Sequence, residues 1–146
     1  MNPIMREDEH HVDKHGRILG MIEAGGIGTV FFGDSLTRRW EDNPQLWERY
    51  FSGFAPANFG MGADTLENMK WRALNGELEN IKPRVLVFLG GTNNLPTHGP
   101  DYISAGIKEL TEIFLRKLPS TRILLLGVFP RSKDENGKDT QEENPC

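Results

Sequence analysis

A three-layer α/β domain built on a parallel sheet is the fold class this sequence predicts, and three observations predict it. Its strand-length apolar runs, above all Val85-Leu86-Val87-Phe88-Leu89, are continuous instead of alternating, the pattern of strands covered on both faces. Between those runs lie segments whose apolar residues recur with the 3.6-residue period of helices. Glycine-rich polar loops follow the runs, and strands that alternate with helices in this way build parallel sheets with right-handed crossovers.

Taken in order, the chain first presents a helix with Ile18, Leu19, Met21 and Ile22 on its apolar side, ended by the paired glycines Gly25-Gly26. Residues 1–28 then read as a helical extension on a core of residues 29–130. Thr29 to Phe32, β-branched and aromatic, is a strand, and Gly33-Asp34-Ser35 is the turn that closes it. Trp40, Leu46, Trp47, Tyr50 and Phe51 follow at near-helical spacing. Ala57-Asn58-Phe59-Gly60 is a second strand and Met61-Gly62-Ala63 a tight loop. Asp64 is expected to cap a helix that begins at Thr65, with Glu67 as its acidic partner three residues on. Leu66, Met69, Ala73 and Leu74 line one side of that helix, and Asn75-Gly76 ends it. Val85 to Leu89 is the third strand, closed by Gly90-Gly91-Thr92-Asn93-Asn94. Pro100-Asp101 opens a helix carrying Ile103, Ile107, Leu110, Ile113, Phe114 and Leu118 in period, and Ile123 to Phe129 is expected as a fourth, buried strand. Residues 131–146 hold no aliphatic or aromatic side chain and read as a polar loop or tail, with nothing to offset their ordering entropy.

Composition narrows the function. At 146 residues the chain is one domain, large enough for a core. Its 17 Lys and Arg are scattered among 21 Asp and Glu for a net charge of −4, so no basic stripe exists and nucleic acid is excluded as a partner. No run approaches the roughly 20 apolar residues of a transmembrane helix, and the first residues lack the apolar centre of a secretory signal. The single cysteine, Cys146, can close no internal disulfide and build no thiolate metal site. That fits a cytoplasmic origin, although a mature exported chain would look the same. His10, His11 and His15 stand among Glu7, Glu9 and Asp13 without the order of a metal-binding helix; a solvated, charge-mixed helix start is expected, and no metal.

The chemistry lies in three loops. In an open parallel sheet, ligands bind outside the carboxyl ends of the strands. Gly33-Asp34-Ser35, Gly60 to Asp64 and Gly90 to Asn94 are all expected there, supplying a hydroxyl, backbone N–H groups freed by tight turns, and a carboxamide. That is the equipment of acyl transfer, a serine nucleophile with donors for the oxyanion. Ser35 alone would read as a helix N-cap and Asp34 as a turn residue; the other two loops shift the reading. Trp40, Trp47 and Trp71 read as packing residues, while Leu36 and Leu95 are expected to contact a small acyl group.

The ordered blocks Gly33-Asp34-Ser35-Leu36, Asn58-Phe59-Gly60-Met61-Gly62-Ala63-Asp64-Thr65 and Gly91-Thr92-Asn93-Asn94 resemble the SGNH/GDSL hydrolases. Within them the chain is most similar to the catalytic-subunit branch of intracellular platelet-activating-factor acetylhydrolase and its bacterial esterase relatives. The run Asn75-Gly76-Glu77-Leu78-Glu79-Asn80-Ile81-Lys82-Pro83 shares that likeness, which extends from about Thr29 to Arg131. The resemblance implies a flavodoxin-like sheet and a serine hydrolase of short, acetyl-type esters without metal or nucleotide cofactor; thioesters and sugar acetates are as plausible as phospholipid acetates. It implies Ser35 as nucleophile, and the Ser35 N–H, the Ala63 N–H (where the family has glycine) and the Asn93 side chain as oxyanion donors. Gly62 is the fallback donor, and Asp34 and Asn94 are supporting residues.

In the family, the general base and its orienting acid lie in an Asp-x-x-His block beyond a fifth strand, and this sequence holds none there, so the sheet is expected to be truncated after its fourth strand. Asp8 and His11 match the bare spacing but precede the first strand. His98, in the loop after the third block, is the candidate for a recruited base; its plain reading is a solvated loop histidine. The alternative is a non-catalytic chain that acts by association, for which the uncovered fourth strand would offer a homo-oligomer edge.

Overall fold

The computed structural model describes residues 1–131; the polar tail from 132 onward lies outside the described residues. Four parallel strands, β1 (Thr29–Gly33), β2 (Pro56–Gly60), β3 (Val85–Leu89) and β4 (Arg122–Leu125), form one sheet in the order β2-β1-β3-β4. That order matches the first four strands of the flavodoxin-like arrangement. Gly33 pairs in register with Gly60 on one side and Leu89 on the other, so three strands finish level and present their following loops together.

Among the described residues, five α-helices accompany the sheet: α1 (Glu9–Ala24), α2 (Ser35–Arg38), α3 (Pro44–Phe51), α4 (Leu66–Leu74) and α5 (Pro100–Lys117). Successive strand residues point to opposite faces, and two adjacent phenylalanines of central β1 use this to fasten both layers. Phe31 meets Trp47 and Phe51 of α3 at ring separations of 4.9 and 4.8 Å. Phe32 meets Phe114 of α5 at 5.1 Å, and Phe88 of β3 reaches the same ring at 5.1 Å. Helix α1 bridges the layers beside edge strand β2. His11 packs on Trp71 of α4, Lys14 pairs with Glu41 beyond α2, and Ile18 is fully buried. A helix laid there shields the strand's unpaired side.

Where α2 sits is decided by a glycine. A Cβ on Gly60 would collide with the backbone nitrogen of Arg38, with Arg38 Cα only 2.8 Å away. The end of β2 can therefore touch α2 directly. Asn58 fastens the contact, donating from Nδ2 to Thr37 O at 3.0 Å while its Oδ1 accepts from Gly60 N at 2.8 Å.

Three expectations are corrected. Helix α4 is capped by Thr65, not Asp64, and the reciprocal partner is Asn68: Thr65 N donates to Asn68 Oδ1 at 3.0 Å and Asn68 N to Thr65 Oγ1 at 3.4 Å. Asp64 and Glu67 are drawn away by partners distant in sequence. The fourth strand is shorter than Ile123 to Phe129 and is not buried: Leu124, Leu125 and Phe129 are 52, 47 and 49 % exposed, because β4 pairs with β3 alone among the described residues. The start of α1 is not a solvated face, since His11 and Lys14 are buried. No helix of the described residues is long and apolar enough to cross a membrane.

Candidate active site

Ser35 opens α2 directly after β1, half-buried, and its Oγ has no hydrogen-bond partner among the described residues. Asp34 is the N-cap, in extended backbone, with Oδ1 accepting from Leu36 N at 2.9 Å. Its other oxygen is buried without a partner. Burial pushes this carboxyl up to about 6, against the hold of the Leu36 N–H. A carboxyl that binds its proton more tightly folded than unfolded costs stability as pH rises. Stability should therefore fall between about pH 4 and pH 6, by about 3 kcal/mol from Asp34 alone, and level off above. Urea midpoints for the wild type and Asp34→Asn should show the variant gaining on the wild type across that window; parallel profiles would refute it.

The second loop is tied to the first. Gly33 O accepts from Met61 N at 3.0 Å and from Arg72 Nη2 at 3.0 Å. Ala63, exposed, is held at φ 63°, the left-handed region where a Cβ costs about 1–2 kcal/mol. Arg6 Nη1 fixes the preceding carbonyl of Gly62 at 2.6 Å. The third loop is tied to the second: Asn93 donates from Nδ2 to Asp64 O at 2.8 Å. A carboxamide nitrogen carries two hydrogens, and the second has no acceptor among the described residues, nor do the backbone N–H groups of Ser35 and Ala63. Asn94, fully buried, is a strut. Its Oδ1 accepts from Leu66 N at 2.9 Å and its Nδ2 donates to Glu67 Oε2 at 2.8 Å. Burial alone would raise the Glu67 pKa, but bonds from Tyr102 and Asn94 more than offset this and hold it below the usual value.

Sequence reasoning missed the residue beneath all this. Arg72 is completely buried and donates from Nε to Asp64 Oδ2 at 2.7 Å, from Nη1 to Glu77 Oε2 at 2.6 Å and Phe59 O at 3.0 Å, and from Nη2 to Gly33 O. It thereby joins the ends of β1 and β2 to the residue after Ala63. Arg6 reaches the other Asp64 oxygen at 2.7 Å, and His15 Nδ1 lies 2.7 Å from Glu77 Oε1. The one signal in the sequence is position: Arg72 falls three residues after Met69 and just before Ala73, on the buried stripe of α4.

The histidines are placed otherwise than in a catalytic dyad with Asp8. Asp8 caps α1 by accepting from the backbone N of His11 at 3.3 Å, not from its ring. That ring is 1 % exposed, with both nitrogens unpartnered and Nδ1 3.8 Å from Asp64; burial pushes its pKa down, against the pull of Asp64. His98 stacks on Tyr102 at 3.9 Å, and its Nδ1 lies 2.9 Å from Thr97 Oγ1. Leu95 is a core residue, 3 % exposed, which removes it as an acyl contact. Leu36 borders a cavity of about 260 Å³ shared with Arg39, Trp40, Asn43 and Leu46, beside the Ser35 turn. Among the described residues no grouping of His, Cys, Asp and Glu could hold a metal ion.

Three loops of this kind on the level ends of parallel strands define an SGNH-hydrolase fold. Solved structures similar to it share that architecture. A protein from Streptococcus pneumonia described as a putative platelet activating factor superposes with a TM-score of 0.71 at 18 % identity, over 87 % of this chain and 58 % of its own. AlinE4, described as an SGNH-hydrolase family esterase, superposes with a TM-score of 0.56 at 21 % identity, over 82 % of this chain and 67 % of its own. The GDSL-like lipase/acylhydrolase family model matches residues 31–144, and the chain belongs to that family. The human platelet-activating factor acetylhydrolase IB subunit alpha2 is 33 % identical over 129 residues, 88 % of this chain and 56 % of the relative. The chain thus spans little more than half the length of that relative.

Proposed function

We propose that this chain carries the nucleophile and oxyanion hole of a serine ester hydrolase acting on short acyl, acetyl-type esters. The supporting observation is that four donors or nucleophiles on three mutually hydrogen-bonded loops, Ser35 Oγ, Ser35 N–H, Ala63 N–H and the second Asn93 N–H, are without partners among the described residues. In this reading Ser35 Oγ attacks the acyl carbon while those donors hold the developing oxyanion. Collapse expels the alcohol carrying the proton that Ser35 gave up, and water then adds to the acyl carbon, returning a proton to Ser35 Oγ as the carboxylic acid departs. Gly62, whose N–H is likewise unpaired, is the reserve donor. The family relationship and the names of the relatives point the same way. Hydrolysis of p-nitrophenyl acetate by the wild type and by Ser35→Ala tests it.

A second reading, action by association, is favoured by the β4 edge, unpaired among the described residues, with exposed Leu124 and Leu125 and with exposed Phe129 just beyond it. An unpaired apolar edge is a template for another chain. Light scattering should find self-association that weakens when Leu124 and Leu125 are both changed to lysine. A concentration-independent monomer would overturn this reading.

A further inference from the structure

Helix α1, edge strand β2 and the segment from Trp40 to Trp47 enclose a cleft of about 510 Å³, and none of Ser35, Ala63 or Asn93 lines it. The volume lies within the roughly 300–1,000 Å³ of small-molecule sites. Trp40, Trp47 and Met21 give it apolar walls, and its charged side chains are Lys14, Arg17 and Glu41. Lys14 is buried to 2 % exposure and pairs with Glu41, whose side chain stays 33 % exposed. Arg17 is exposed and makes no hydrogen bond or ion pair among the described residues. Two cations against one anion leave the lining net positive, around walls that suit hydrocarbon.

We propose that this cleft binds a monoanionic amphiphile of the fatty-carboxylate class, its carboxylate paired with Arg17 and Lys14 and its chain lying between Trp40, Trp47 and Met21. A charge-assisted pair to guanidinium is the strong kind of hydrogen bond. The site is independent of the esterase reading, since no residue of the crevice lines it.

Titration calorimetry with octanoate, 1-octanol and octyltrimethylammonium tests the assignment. Octanoate should saturate one site per chain, the alcohol should bind at least about ten-fold more weakly for want of the charged pair, and the cation should not bind. Arg17→Gln should weaken octanoate about ten-fold and leave 1-octanol unchanged. Ser35→Ala should leave octanoate binding as it is. Equal affinity for acid and alcohol, indifference to Arg17→Gln, binding without saturation, or loss of binding in Ser35→Ala would each overturn the proposal.

Discussion

Replacing Arg72 with methionine is expected to remove about 3–5 kcal/mol of stability, the usual consequence of deleting one partner of a buried ion pair. The pair is not simple. Loss of the guanidinium leaves the fully buried carboxylates of Asp64 and Glu77 with only Arg6 and His15 as side-chain partners, and the carbonyls of Gly33 and Phe59 short of a donor. Native domains hold only about 5–15 kcal/mol in total, so the variant should melt on the order of 10 °C or more below the wild type, or fail to accumulate. Arg72→Lys should fall in between, because an ammonium keeps the charge but cannot fork toward four acceptors. A melting temperature for Arg72→Met within about two degrees of the wild type would mean the cluster contributes little net stability.

The largest effect on activity is expected at Ser35. A nucleophile and its base act as a unit, and in a well-studied serine protease loss of either costs about a million-fold. Where a base is supplied, Ser35→Ala should therefore reduce p-nitrophenyl acetate hydrolysis by up to that factor, and Asn93→Ala by about 10²–10³, the range for one oxyanion donor; without a base the Ser35→Ala loss should be far smaller. Equal rates for the wild type and Ser35→Ala would remove Ser35 from the mechanism. The same logic locates the base: if His98 serves, His98→Ala should fall as far as Ser35→Ala, whereas an unchanged rate places the base elsewhere. The stacking of His98 on Tyr102 gives a physical handle, because a ring that leaves Tyr102 to reach Ser35 loses that contact.

The sheet was legible because covered strands announce themselves locally. Val85 to Leu89 coincides with β3 residue for residue, and the 3.6-residue period from Pro100 onward marks α5. Exposure was not legible in β4, since Leu124 and Leu125 read as buried by composition, whereas burial depends on what lies across the edge. Nor was the role of Asp64. Asp and Thr are both capping residues, and only the folded chain reveals that Arg6 and Arg72 claim the first and leave the second to Asn68. The loops of the candidate site were visible as glycine, serine and asparagine beside strand ends. Their supports, Arg72, Asn58 and the buried His11 and Lys14 of α1, were not, because each depends on partners far away in sequence.

Asp64 meets two demands at once, its carboxylate answering the interior guanidinium while its carbonyl receives Asn93. Heat tolerance and crevice shape are therefore coupled through a single residue. Mutational drift there has little room, and a laboratory selection for robustness would have to find its gains elsewhere in the chain.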